Sequence, residues 1–207
     1  MRRLSCQWVD EKSSQARDHA LQSLQCGAFG KAGANVWGFK HNTMTTKIDL
    51  DRDLSLRLRI DALLANYIHC IDEDRLEEWP DYFTNDGRYK VVTRENYDLG
   101  LPVALIYCDG TGMFKDRISA LRTANIFEPH VYCHMVSALK ILDSSGPNIK
   151  TQSNFTVTRT MSEGQMMTFL CGKTIDTVTE IDGELKFKER TVILDSRRID
   201  TLLVIPV

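Results

Sequence analysis

The stretch EEWPDYFTNDGRYKVVTREN, Glu77 to Asn96, and the following GMFKDRISALRT, Gly112 to Thr123, decide the fold of this chain. The first segment reads as the end of a short helix, a turn and a strand. Trp79, Tyr82 and Phe83 give it a heavy aromatic load, Pro80 limits the helix, and Asn85-Asp86-Gly87 signals a turn ahead of RYKVVTR. The second places Lys115, Asp116 and Arg117 at the front of a helix whose Met113, Phe114, Ile118 and Leu121 share one side. Neither segment holds a metal-ligand cluster, a nucleophile with its base, or a phosphate loop. Both are parts that shape and dock a domain.

Working outward, Leu56, Ile60, Leu63, Leu64, Tyr67, Ile68 and Ile71 recur at spacings of three and four, which predicts a helix over Asp53–Ile71 capped by Asp53 or Ser55. LPVALIYC, from Leu101, fits either a buried strand or a covered loop. Beyond it the period changes to two. In VYCHMVSALKIL the odd positions Val131, Cys133, Met135, Leu139 and Ile141 form one apolar face, and Ser144 to Pro147 breaks the strand. Phe155 and Val157 alternate with polar residues in the next strand, and Met167, Phe169, Cys171 and Ile175 in the one after. Asp182-Gly183 is a type I′ hairpin signal, with Leu185, Phe187 and Val192 on the returning strand. Helices first and long antiparallel strands later define an α+β fold, with helices on one face of a curved sheet.

Composition narrows the function classes. A chain of 207 residues, 43% hydrophobic and 26% charged, is one ordinary globular domain with room for a tail. A net charge of -2 gives no electrostatic case for nucleic acid or an anionic membrane. No apolar run approaches the roughly 20 residues a membrane helix needs. The start MRRLSCQWVDEK lacks the apolar core of a secretory signal, and a cytoplasmic setting is expected. The six cysteines are scattered without a CxxC pair, as isolated reduced thiols would be; Cys133 and Cys171 occupy positions that read as apolar. Residues 1–43 show neither helical nor strand periodicity. They are expected to be a disordered arm or a mis-called start, with Met44 opening a single α+β domain over residues 44–207.

Candidate chemistry is sparse. His130 and His134 flank Cys133, but on a strand their spacing is too wide for a tight chelate, so a polar or interface pair is expected. His69 and Cys70 are adjacent on a helix and cannot face each other as a dyad. Asp72, Glu73, Asp74, Glu77 and Glu78 read as a solvated acidic patch. Asp116 and Arg117 suit local pairing or the docking of a partner chain.

From about Leu56 to Val207 the chain resembles the small (β) subunit of Rieske-type aromatic-ring-hydroxylating dioxygenases of the terephthalate, salicylate or anthranilate group. The likeness rests on YIHCIDEDRLEEWPDYFTNDGRYKV, the REN after it, MFKDRISALRT, HMVSALKI and the closing LLVIPV. It implies a cone of the nuclear-transport-factor-2-like kind, a curved antiparallel sheet wrapped around amino-terminal helices. It also implies a hetero-oligomer of three α and three β chains, with β–β contacts, that works in aromatic catabolism with an electron-transfer reductase or ferredoxin. The Rieske 2Fe-2S cluster and mononuclear iron would sit in the α subunit. This chain would be a non-catalytic structural subunit with no cofactor of its own, and Trp79, Asp116 and Arg117 are its candidate interface residues. Residues 1–43 have no counterpart in that family. Two other readings remain open. One is a stand-alone dehydratase or isomerase of the same cone fold, recruiting Tyr67, Asp86 and His134. The other is a homo-oligomeric binding module.

Overall fold

Apolar residues at three- and four-residue spacing build α1 (Leu50–Asp72), which buries a stripe of Ile60, Leu63, Leu64, Tyr67, Ile68 and Ile71. The computed structural model describes residues 50–197, 199 and 203–207. The expectations for residues 1–43 and for a start at Met44 lie outside these. The helix begins before Asp53, so Asp53 and Ser55 stand inside it rather than capping it. A 3₁₀ helix (Leu76–Tyr82) follows and contains Pro80 instead of ending at it. The proline ring is buried beside Leu76 and Trp79, so packing decides its place.

Strand β1 (Phe83–Thr93) absorbs the Asn85-Asp86-Gly87 signal as a bulge. The chain folds back on itself there, and a Cβ on Gly87 would lie 2.8 Å from the Thr84 carbonyl oxygen. After α2 (Arg94–Asp98), only Ile106–Asp109 of the ambiguous apolar stretch pairs, as β2. Helix α3 (Thr111–Thr123) buries Phe114, Ile118 and Leu121 as expected; Met113 is exposed instead and meets the Asp109 N–H through its sulfur. Four long strands complete the fold: β3 (His130–Asp143), β4 (Asn148–Met161), β5 (Met166–Ile181) and β6 (Glu184–Leu194). Asp182 and Gly183 both have positive φ, 53° and 85°, the pair a type I′ hairpin demands.

The six strands form one sheet in the order β2-β1-β6-β5-β4-β3. Every pairing is antiparallel except β1 with β6, which run parallel with Val91 opposite Val192. The architecture is α+β, a curved sheet with helices packed on its inner face. Gly172 permits the β5–β6 approach, since a Cβ there would stand 2.0 Å from the Ile193 carbonyl oxygen.

Two bulges invert the reading of the strand faces. On β3 the inward residues are Tyr132, His134 and Val136, while Val131, Cys133 and Met135 point outward, opposite to the sequence expectation. Ala138, at a φ of 53°, shifts the register, so that only Leu139 and Ile141 return to the inner face. On β5 a shift between Val157 and Thr158 of β4 flips the phase after Phe169, and Leu170, Thr174, Asp176 and Val178 become the buried set. Cys133 and Cys171, expected as small core hydrophobes, are therefore exposed. Cys70, Cys108, Cys133 and Cys171 are all free thiols.

Candidate functional site

The sheet's interior is filled. Trp79 is 0% exposed and meets Phe114 edge-on at 4.9 Å and Tyr89 at 5.1 Å, while Phe83 stacks on Phe114 at 4.5 Å. Its indole N–H donates to the Tyr67 hydroxyl at 3.1 Å. That hydroxyl donates to the Val207 main-chain oxygen at 3.0 Å, as does the Tyr89 hydroxyl at 3.1 Å, and the Val207 N–H donates back to Tyr89 at 2.9 Å. Arg117 donates to the carbonyl oxygens of Leu203 at 2.8 Å and Val204 at 3.0 Å. Leu203, Val204 and Val207 are thereby pinned as part of the core. Burial pushes the Tyr67 phenol up to about 12 and Tyr89 well above the ordinary tyrosine range.

One ion pair lies wholly inside. Arg190 donates to Asp176 at 2.8 Å, Thr174 donates to the same carboxylate oxygen at 3.1 Å, and the guanidinium lies 4.4 Å over the Tyr67 ring. Burial pushes the Asp176 carboxyl above the usual range, against the pull of Arg190 and the Thr174 hydroxyl. Sequence reasoning missed this pair, because Asp176 alternates with threonines and valines as a surface carboxylate would. The absorbed phase shift on β5 is what turns it inward.

Glu73, Asp74, Glu77 and Glu78 of the acidic run are exposed, as a solvated patch requires, but each carboxylate of the run has a partner, and Asp72 is largely covered. Asp72 accepts from the His134 main-chain N–H at 2.8 Å and pairs with its Nδ1 at 2.6 Å. Arg122, from the end of α3, reaches Asp74 at 2.8 Å and Glu77 at 2.8 Å, and Arg75 bridges Glu73 and Glu78. The arginine inside the run, Arg75, was the available sequence signal.

The candidate residues therefore separate. Tyr67, Asp86 and His134 are not assembled into an active site: Tyr67 is occupied by Trp79 and Val207, Asp86 is an exposed residue bonded to Thr84, and the His134 side chain is 3% exposed and locked by Asp72. Trp79 is corrected as an interface residue, because its side chain presents no surface. Arg117 is turned to the carboxy-terminal segment, and only Asp116 of the three is freely exposed. Among the described residues no group of three or more His, Cys, Asp or Glu converges to hold a metal ion, so these side chains do not fit an iron site or an iron–sulfur cluster. No described helix is long and apolar enough to cross a membrane.

Apolar surface lies outside instead. From Leu99 to Cys108 the chain carries no charge, and Leu99, Leu101, Val103, Leu105 and Tyr107 are exposed; Leu101, Val103 and Tyr107 line a groove of about 690 Å³ with Lys90 and Tyr97. An uncharged patch occupies one end of the outer face of β3–β5. Strand register aligns Val131 with Thr160 and Met166, Cys133 with Thr158 and Thr168, and Met135 with Thr156 and Cys171. Val131 is 61% exposed and Met135 56%. Surfaces of this kind mark interaction sites.

The sequence profile of the ring hydroxylating beta subunit family matches residues 68–201. The anthranilate 1,2-dioxygenase small subunit of Burkholderia cepacia is 42% identical over 159 residues, spanning 77% of this chain and 99% of the relative. The terephthalate 1,2-dioxygenase terminal oxygenase component subunit beta 2 of a Comamonas species is 38% identical over 72% of this chain and 97% of its own length. The crystal structure of the β subunit of a candidate aromatic-ring-hydroxylating dioxygenase from Novosphingobium aromaticivorans superposes with a TM-score of 0.69 at 36% identity, covering 75% of this chain and 99% of that one. The chain belongs to the β subunits of Rieske-type aromatic-ring-hydroxylating dioxygenases, in the anthranilate- and terephthalate-like group, as its sequence motifs imply.

Proposed function

We propose that this chain is the structural, non-catalytic β subunit of a cytoplasmic oxygenase that inserts oxygen into an aromatic carboxylic acid during aromatic catabolism. The observation that carries the reading is the filled interior: Val207, the tyrosines and the Asp176–Arg190 pair occupy the space where an enzyme of this architecture would hold substrate. The sheet and helices are those of a nuclear-transport-factor-2-like cone whose mouth is stopped by the chain's own Leu203–Val207 segment. The α subunit supplies the Rieske cluster and the mononuclear iron, three α and three β chains assemble, and a reductase or ferredoxin delivers electrons from NADH. The acid class follows from the anthranilate and terephthalate named for the relatives.

The test is metal and sulfide analysis with turnover assays, on the chain alone and co-expressed with its α subunit. Alone it should bind no iron and oxidise nothing. With α it should enter a complex containing iron and sulfide that hydroxylates an aromatic acid when given reductase and NADH. Stoichiometric iron or turnover in the isolated chain would overturn the reading.

A further inference from the structure

We propose that the cradle beneath Leu203–Val207 is a binding site for a small aromatic carboxylate, and that this segment of the chain is the site's internal competitor. The inference goes beyond the β-subunit reading, which supplies only the choice of an aromatic acid. The main-chain oxygen of Val207 accepts two phenol protons, from Tyr67 at 3.0 Å and from Tyr89 at 3.1 Å. The Trp79 indole N–H stands behind the Tyr67 oxygen and directs that proton forward. Arg117 serves two other carbonyls of the same segment, at Leu203 and Val204. Every side chain bonded to these main-chain oxygens is thus a donor, the arrangement that holds an oxyanion.

The donors exceed what the segment uses. The Nε–H groups of Arg117 and Arg190 are buried and have no acceptor among the described residues. Asp176 matches the charge of Arg190, whereas Arg117 bonds only to neutral carbonyls and has no carboxylate partner among the described residues. Burial raises the Tyr89 phenol and both guanidiniums pull against it, so both lie near the paired phenols. A carbonyl brings one oxygen and no charge to this cradle; a carboxylate brings two oxygens and the charge that Arg117 lacks opposite it. The walls are aromatic. Tyr67 meets Phe187 edge-on at 5.4 Å and Phe83 at 6.2 Å, and such walls accept the ring of a benzoate-like acid in place of the segment's apolar side chains. Leu203, Val204 and Val207 are buried, so the released segment is a minor state, and the acid's apparent affinity is reduced by that state's population. Weakening the segment without touching the cradle therefore tightens binding, the opposite of what damage to an ordinary pocket does.

The test uses the full-length chain, with benzoate as probe and benzamide as its uncharged counterpart, by titration calorimetry and by carboxypeptidase Y digestion. Benzoate should bind saturably and speed digestion of the Leu203–Val207 segment with the same midpoint, and benzamide should bind about tenfold more weakly or worse. Leu203→Ala loosens the segment and should tighten benzoate binding about tenfold. Adding Tyr67→Phe should weaken it again by about the same factor. Arg117→Ala should erase the preference for benzoate over benzamide, a ratio that the looseness of the segment does not alter. No saturable binding, equal binding of the two probes to the wild type, or weaker binding after Leu203→Ala would overturn the proposal. Should Leu203→Ala fail to fold, the probe ratio in the wild type and in Arg117→Ala decides. Iron content and turnover of the complex with α are scored separately, so a failed acid site leaves the subunit assignment standing, and a failed assignment leaves the acid site standing.

Discussion

Arg117 donates to the carbonyl oxygen of Leu203 at 2.8 Å, and that bond turns a side chain expected at a subunit interface into an internal brace. Its neighbour Asp116 points to solvent. Arg117→Ala should cost about 1–3 kcal/mol, the range for losing hydrogen bonds from a charged group. Asp116→Asn should shift stability by no more than about 0.5 kcal/mol. Urea denaturation of both variants, with carboxypeptidase digestion to detect a loosened Leu203–Val207, checks the contrast. Equal stability of the two variants would show that the brace carries no weight.

Removing the Asp72 carboxylate should hurt more than its place in an acidic run suggests. Asp72→Ala leaves the His134 imidazole and main-chain N–H without their acceptor, and a loss of about 2–3 kcal/mol is expected. The assembled oxygenase should keep its turnover per iron, since the pair ties α1 to β3 within this chain. A variant of normal stability with lost turnover would instead make the pair a chemical dyad.

Trp79→Ala should be the most damaging of these changes, at about 3–5 kcal/mol, because it empties a fully enclosed site and removes the donor to Tyr67. Trp79→Phe should retain most of the packing and still bind the α subunit. Pull-down of a stable Trp79→Phe variant that failed to recover α would return the residue to the interface.

Alkaline stability should depend on the two enclosed phenols. Their folded pKa values lie above the ordinary value near 10, with Tyr67 at about 12. A raised folded pKa gives stability that is complete below the unfolded pKa and lost as pH rises through the folded one. For Tyr67 the affected window is therefore about pH 10 to 12. Absorbance titration of tyrosinate should show Tyr67 and Tyr89 ionising only with loss of circular dichroism, and Tyr67→Phe should remove one late-titrating group. Two tyrosines ionising late but without unfolding would refute the coupling.

Local signals in the sequence read correctly where local physics governs. The spacing of Ile60, Leu63, Leu64 and Tyr67 specifies α1, and Asp182-Gly183 specifies its hairpin, because each needs only neighbours along the chain. The family was legible in the motifs around Trp79 and Arg117, although the roles of those two residues were not. What escaped depends on register or on distant partners. Ala138 swaps the faces of β3, the Phe169 shift hides Asp176, and Asp72 finds His134 62 residues away. A period-two reading has no means of sensing an inserted residue, and charge patterning has none of locating a partner on another element.

The parallel pairing of β1 with β6 also governs how the chain can be made. Val91 waits for Val192, so translation places the helical half outside the ribosome long before its strand partner exists. During that interval Trp79, Phe83 and Tyr89 lack Phe187 and the closing Val207, and the unpaired edge of β1 is open to other chains. The sheet around β1 therefore closes only once β6 has been made, and chains ended before β6 are substrates for chaperones and proteases rather than small working domains.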